Sequence, residues 1–235
     1  VQMNLRRLLR VTNWRLAVGE FVLIFVGIFA ALAANDWNSQ RLERAEELQT
    51  LRGIRAALAS DLEELQWTSA FLWEKRNVAL ALHAHLKAGL PYHDTLDVSF
   101  GAVYGFKESF LNRAAYEALR SRGFDLISDD SLRVQIIRLY DEDYREVEVV
   151  DERHRSTVME LYRPYFLERF VNIDFNNSAT PLDYLALVGD QYFINLIEYR
   201  AAQLQFDTGP AYDTAAARSS SLLASLGEAL GGARE

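Results

Sequence analysis

Apolar and polar positions come in blocks along this chain, and the longest apolar block lies near its beginning. The nineteen residues Leu16–Ala34 carry no charge apart from Glu20 and no strong hydrogen-bonding side chain. At the helical rise this block spans roughly 28 Å, about the hydrocarbon thickness of a bilayer. Trp14 and Trp37 flank it, and indole rings favour the headgroup layers. The pattern predicts a transmembrane helix over residues 16–35.

Small side chains lie along one side of this predicted helix. Gly27, Ala30, Ala31 and Ala34 contain two small-xxx-small spacings. Such faces let helices approach closely in lipid. We therefore expect a helix–helix contact in the membrane, through which the chain self-associates or binds another membrane protein.

Glu20 is the one ionisable residue within the apolar block. An acid inside a membrane span is costly and is by default a candidate functional residue. Glu20 lies only six residues after Trp14, near the predicted interface, where its carboxylate can reach water or Arg15. We therefore favour an interfacial acid, paired with Arg15 or with a neighbouring subunit, over a proton-handling role.

The same N-terminal region can also be interpreted as a cleavable secretion signal. It has a basic arm, an apolar segment and the triplet Ala31-Leu32-Ala33. The length of the apolar segment, its flanking tryptophans and the strongly helical sequence beyond the triplet favour an uncleaved anchor.

Charge on either side of the block predicts its direction. Residues 1–15, the basic arm, contain four arginines and no acid, whereas acids outnumber arginines over residues 36–50. Cationic flanks stay in the cytoplasm, so we expect a cytoplasmic N-terminus in a bacterial inner membrane and a body in the periplasm. The net charge of −8 makes that body acidic, which argues against nucleic acid as a partner.

Helical spacing dominates the rest of the chain. Asn38–Leu86 contains no proline, and leucines recur every seven residues at 51, 58, 65 and 72, which predicts one long helix that ends at Gly89-Leu90-Pro91. Residues 95–106 alternate like a strand, but a single strand without a partner is unstable. We therefore expect a loop with a short helical turn there, and a polar loop over residues 171–180.

The clearest helix signals lie in the middle of the chain. Tyr116 and Leu119 mark the apolar side of a helix, Gly123 is placed to stop it, and Ser128 is a good N-cap for the next helix. That second helix keeps its spacing until Pro164, so the region is predicted as an αα-hairpin.

Weaker signals follow to the end of the chain. Pro181 opens a further helical stretch, Gly209-Pro210 should kink or break it, and residues 230–235 form a frayed tail. Together the patterns predict an all-α fold. One transmembrane helix is followed by an extramembrane bundle over residues 36–229, with about four helices, two of them long.

Part of this pattern resembles a known family. The anchor ending in Asn35-Asp36-Trp37-Asn38 and the central Tyr116–Leu119, Gly123, Leu126-Ile127-Ser128-Asp129 and Tyr140 look like a bacterial domain-of-unknown-function family. Its members are membrane-anchored helical proteins. The resemblance covers the anchor and the central hairpin, about half of the chain, and implies an architecture without any activity or site.

Residues with catalytic or metal-binding chemistry are few. The chain has no cysteine, and His83 and His85 face opposite sides of a helix, which makes a metal site with His93 unfavourable. His154 falls on an apolar stripe and is expected to be a core histidine with satisfied hydrogen bonds. Most acids of residues 141–152 fall on the polar side of their helix. We therefore predict no catalytic residue, no metal and no cofactor.

The function expected from these features is that of a membrane-anchored scaffold or interaction protein in an oligomeric assembly. A helical bundle can also hold a small molecule between its helices, so a periplasmic ligand sensor that signals through a partner is the alternative. A buried polar pocket would favour sensing, and an exposed apolar patch would favour a partner.

Overall fold

The computed structural model describes residues 14–232, with side chains from Val18 onward. The predicted basic arm, apart from its last two residues, and the final three residues of the chain lie outside this range. The described chain is mostly helical, with 83% helix and 4% strand, as the sequence predicts. It forms two compact units, the first ending at Gln49 and the second beginning at Thr50.

The first helix contributes to both units. Helix α1 extends over Trp14–Lys87 without interruption, so the apolar block and the long polar-apolar helix form one element. Its residues 18–46 are exposed throughout. The most apolar 18-residue window has a mean hydropathy of 2.1 and none of it is buried, so this helix is long and apolar enough to cross a membrane.

The later part of α1 packs in the second unit as its heptad pattern predicts. The leucines at 51, 58, 65 and 72 are at most 1% exposed. The helix ends at Gly89, which has a φ of +59°. The Gly89 N–H donates to the Leu86 carbonyl at 3.0 Å, and the Leu90 N–H donates to the His85 carbonyl at 3.3 Å. These bonds satisfy carbonyls of the last turn, and the positive φ explains why glycine stands there.

Eight further α-helices and one hairpin follow among the described residues. They are α2 (Leu96–Tyr104), α3 (Ala114–Arg122), α4 (Asp130–Arg138), α5 (Tyr144–Thr157), α6 (Arg163–Arg169), β1 (Phe170–Asp174), β2 (Ser178–Pro181), α7 (Tyr184–Val188), α8 (Gln191–Gln203) and α9 (Gly209–Gly231). The prediction of about four helices is not confirmed. α9 extends to Gly231, so residues 230 and 231 of the predicted tail are helical.

Two predicted loops are regular elements instead. Residues 96–104 form a nine-residue helix, and residues 170–181 form an antiparallel two-stranded hairpin. The two depend on each other, because α2 packs directly against β2. A Cβ at Gly101 would lie 2.1 Å from the backbone nitrogen of Ser178, so only glycine allows this approach. The hairpin is therefore stabilised by tertiary packing that its own sequence does not reveal.

The central αα-hairpin is present, with one shift at its turn. Gly123 ends α3 with a φ of +105°, and a short 3₁₀ turn follows at Phe124–Leu126. The N-cap of α4 is Asp129, one residue after the predicted Ser128, and its carboxylate accepts from the Leu132 N–H at 3.0 Å. Both residue types are good caps, so the pattern located the turn and misplaced the cap by one residue.

Wider π-turns explain why two prolines do not end their helices. π-turns lie at Leu139–Asp143, Val158–Tyr162 and Leu204–Thr208. The second and third immediately precede the helices that contain Pro164 and Pro210, and each proline falls in the first turn of the new α-helical segment. Its missing N–H has no helical partner to lose at that position. The chain therefore stays helical from Asp130 to Arg169, past the predicted end at Pro164.

Candidate functional site

The predicted membrane residues lie on the exposed first part of α1. Trp14 and Arg15 begin the helix, but their side chains lie outside the described residues, and so does any pairing of Arg15 with Glu20. Glu20 is exposed, and Trp37 is 70% exposed. Both are therefore open to a partner or to lipid, and their predicted interfacial roles stay predictions.

The small residues of α1 also face open space. Gly27, Ala30, Ala31 and Ala34 are all exposed, and a Cβ at Gly27 would meet nothing within 4 Å. Packing within the chain therefore gives no reason for glycine at position 27. Its predicted role in a contact with another helix stays a prediction.

The second unit carries an apolar cleft, which we call the Leu185 cleft. It is formed by the turn after α1 and by the segment around α7, and its volume is about 630 Å³. Its lining residues are Gly89, Leu90, Pro91, Tyr92, Leu182, Asp183, Tyr184, Leu185 and Val188. Leu182 is 62% exposed and Leu185 is 82% exposed. Large aliphatic side chains at this exposure, gathered at one cleft, are typical of a surface that binds a partner.

Aromatic contacts hold the two sides of the Leu185 cleft together. The Tyr184 hydroxyl donates to the Leu90 carbonyl at 2.8 Å, and the Tyr184 ring lies 5.3 Å from the Tyr92 ring. His85 and His93 meet edge to face with their centroids 5.4 Å apart. The cleft is thus supported by ring contacts on both sides, and the sequence did not predict that these two segments meet.

His83 and His85 each have a nearby oxygen as a partner. His85 Nε2 lies 3.1 Å from the Pro91 carbonyl, and His83 Nε2 lies 3.6 Å from a Glu198 carboxylate oxygen. Within residues 14–232, no three His, Asp or Glu side chains are grouped so that they could hold a metal ion.

A second candidate site is buried between α5 and α8. Arg200 is 1% exposed and is the largest fully buried side chain of the described chain. One guanidinium nitrogen, Nη2, donates to the Gly105 carbonyl. The other two nitrogens, Nε and Nη1, have no hydrogen-bond partner. Burial lowers the pKa of Arg200 to about 10, so the guanidinium keeps its charge at neutral pH.

His154 lies beside Arg200 and corrects one prediction. It is fully buried, as its place on the apolar stripe predicts, but neither ring nitrogen has a hydrogen-bond partner. Its hydrogen bonds are therefore not satisfied. Burial and the nearby charge of Arg200 lower its pKa well below the ordinary value, so the imidazole is neutral at pH 7. We call Arg200, His154 and the adjacent Lys75 the Arg200 cluster.

Two buried carboxylates fasten the irregular segment between α2 and α3. Asp61 accepts from the Asn112 N–H at 2.9 Å, and Asp151 accepts from the Ser109 N–H at 3.2 Å. The Tyr212 hydroxyl donates to Asp151 at 2.7 Å. Burial raises the pKa of both acids despite these bonds, that of Asp151 to about 6. The position of the segment between α2 and α3 therefore depends on two carboxylates, Asp61 and Asp151, that are poorly solvated in the folded protein.

Asp151 and Asp143 are exceptions to the predicted solvated acidic face. They are 5% and 7% exposed, and Asp143 pairs with Arg218 at 2.5 Å. Neither they nor Arg200 could be assigned a partner from the sequence. The one available signal was position, because Arg200 falls on the apolar side of α8 together with Leu196 and Ile197.

Comparison of the chain with protein-family models, with curated proteins and with solved structures finds no match. The resemblance to a bacterial family of unknown function stays a prediction.

Proposed function

We propose that this chain is a single-pass, membrane-anchored helical interaction protein, whose second unit binds a protein partner at the Leu185 cleft. The observation that carries the proposal is that the described chain has two separate exposed apolar surfaces. One is the first part of α1, none of whose most apolar window is buried. The other is the Leu185 cleft. Each would be covered in a different way, the first by lipid and the second by protein.

The anchor part of the proposal places the chain in a bacterial inner membrane. In this proposal the N-terminus lies in the cytoplasm and the second unit lies in the periplasm. Trp14 and Trp37 lie at the two membrane–water interfaces. Support comes from the arginine-rich N-terminal arm and the acidic residues that follow the apolar block. The small-residue side through Gly27 supports self-association or contact with another membrane helix, since that side of α1 is unoccupied.

One fractionation experiment tests the anchor, and one fusion experiment tests its orientation. The full chain should stay in the membrane pellet after alkaline carbonate extraction, and a fluorescent reporter that folds only in the cytoplasm should stay dark at its C-terminus. Release into the supernatant would contradict the anchor. A bright reporter would contradict the orientation.

The partner part of the proposal rests on the shape and chemistry of the Leu185 cleft. Its exposed Leu182 and Leu185, together with the rings of Tyr92 and Tyr184, fit an apolar side chain of another protein. Asp183 at its edge already accepts the Ala186 N–H at 3.1 Å as a helix cap. That bond uses one of its carboxylate oxygens, and the other side chains that line the cleft are aliphatic or aromatic, so apolar contact is the main source of affinity.

Site-specific photo-crosslinking in intact cells tests the cleft. A photoreactive phenylalanine at position 185 should give a discrete protein adduct. The same group at Val134, which is 61% exposed on α4, should not. Leu185→Glu should abolish the complex and Val134→Glu should keep it. Both side chains are exposed, so neither change should alter stability by more than about 0.5 kcal/mol. Equal adducts at both positions would refute the cleft as the binding surface.

Ligand sensing is the second candidate, and the Arg200 cluster is the observation that favours it. Unpartnered buried donors are a place where a small molecule could gain hydrogen bonds. A sensor would show a change in the crosslinks at position 185 when its ligand is added, whereas a scaffold would give the same adducts with and without it.

A further inference from the structure

The Arg200 cluster contains two buried positive charges. Arg200 is 1% exposed and Lys75 is 9% exposed. The Lys75 Nζ donates to the Asn176 carbonyl at 3.1 Å and lies 4.8 Å from the Phe71 ring centroid. Burial lowers the pKa of Lys75, the charge of Glu74 raises it, and the charge of Arg200 lowers it further. The two cations are therefore close enough to repel each other.

No acid compensates these charges. In the described part of the chain, neither Arg200 nor Lys75 forms an ion pair with a carboxylate, and Glu74 acts on Lys75 only at longer range. An uncompensated charge in a poorly polarisable interior is among the most costly arrangements in a folded protein. One carbonyl for Arg200 and one for Lys75 do not neutralise them.

Part of the hydrogen-bonding capacity of this cluster has no partner. Arg200 keeps Nε and Nη1 free, and those N–H groups form part of the rigid fork that binds anions. His154 is close by, since its ring centroid lies 6.2 Å from that of Phe106, the residue next to Gly105, to which Arg200 donates. Burial and the charge of Arg200 lower the pKa of His154, so its ring is neutral and carries one N–H donor, and neither ring nitrogen has a hydrogen-bond partner. Tyr162 does not use these donors, because its hydroxyl donates to the Leu196 carbonyl.

We propose that a small monovalent anion of about the size of chloride binds between the Arg200 guanidinium and the His154 ring, as the buried counter-ion of this cluster. The anion accepts hydrogen bonds from Arg200 Nε–H or Nη1–H and from the His154 N–H. A small ion is favoured because Arg200, His154 and Tyr162 are at most 1% exposed, so a bulky ligand would have to displace the side chains packed around them. The inference is independent of the proposed partner binding at the Leu185 cleft.

Thermal unfolding of the purified full chain in a chloride-free, uncharged detergent tests the proposal. At constant ionic strength, replacing sodium gluconate by sodium chloride should raise the unfolding midpoint, and the rise should continue with the logarithm of chloride concentration once the site is saturated. Arg200→Met removes the charge and the donors and should abolish the chloride dependence. Arg163→Met, at an exposed arginine of α6, is the matched control and should keep it.

Two results would overturn the proposal. One is an identical midpoint of the wild-type chain in both salts. The other is a chloride effect that survives Arg200→Met, which would show surface binding or a general salt effect only. If Arg200→Met does not fold, the ³⁵Cl line width decides. The wild-type chain and Arg163→Met should broaden it saturably, and His154→Leu should reduce the broadening, whereas equal broadening by all three would refute the site.

Discussion

Replacing Asp151 by asparagine should change how the stability of this protein depends on pH. The Asp151 carboxylate is buried, it accepts from Tyr212 and from the Ser109 N–H, and its pKa is raised to about 6 from an ordinary 3.8, first of all by burial. An asparagine has nearly the same shape, and its amide oxygen can still accept one of these bonds. It cannot carry the charge, so the comparison isolates the titration of this one group.

The sign and size of the effect follow from the two pKa values. Because the folded protein holds the Asp151 proton more tightly than the unfolded chain, the contribution of this group to stability is full below pH 3.8 and is lost as the pH rises through about 6. The whole difference corresponds to about 3 kcal/mol, of which about 2 kcal/mol falls between pH 4.5 and pH 7. The free energy of unfolding of the wild type minus that of Asp151→Asn should therefore fall by about 2 kcal/mol over this interval.

Urea unfolding of the full chain in detergent, followed by tryptophan fluorescence at several pH values, measures this difference. His154 has a lowered pKa and opposes the trend in acid, but it is present in both proteins and cancels in the comparison. A flat or rising difference for Asp151→Asn would refute the reasoning that its charge is poorly solvated.

Three further changes test the packing and the caps. Gly101→Ala should lower the free energy of unfolding in urea by about 1–3 kcal/mol or more, because the added Cβ would meet the β2 backbone at 2.1 Å. Gly227→Ala is the control: its Cβ has open space inside α9, so this change should raise the free energy of unfolding by about 0.5–1 kcal/mol. Equal effects of the two changes would contradict this packing. Asp190→Ala should cost about 1–2 kcal/mol in the same assay, since this carboxylate caps two N–H groups of α8, and an unchanged midpoint would rule out the cap. Pro210→Ala should change the free energy of unfolding by less than about 1 kcal/mol in the same assay, because this proline lies in a first helical turn. A change near 3 kcal/mol would contradict that placement.

The sequence predicted the elements whose stability is local and missed those that depend on distant partners. The α1 heptads and the turn at Gly123 are local patterns, and both are present. The β1–β2 hairpin exists because α2 covers it, and α2 was obscured because its apolar residues also alternate. Its buried Leu96, Phe100, Val103 and Tyr104 nevertheless keep a helical spacing.

The candidate site was less predictable than the fold. Periodicity predicted a core position for His154, and it is buried; Arg200 is buried as well. Periodicity carries no information on which groups meet across helices, so the missing counter-charge and the unsatisfied histidine could not be predicted. The Leu185 cleft escaped for the same reason, since its two sides are about 90 residues apart in the chain.

The π-turns connect helical segments whose buried residues are spaced by four. His154, Val158, Tyr162 and Phe166 are all buried, and so are Arg200, Leu204, Thr208 and Tyr212. In an unbroken α-helix each step of four residues overshoots a full turn by roughly 40°, so such a run would rotate out of the core. A turn that contains one extra residue takes up the excess and keeps the row facing inward.

These three turns are therefore the places where the helical segments can lose a residue. Deleting one residue inside Val158–Tyr162 would convert the π-turn into an ordinary turn and leave both flanking helices facing as before. Deleting one residue in the middle of α5 would instead rotate everything beyond it by roughly 100° and expose its buried row. Loss of a single residue in this protein and its descendants should thus be tolerated at the π-turns and eliminated between them.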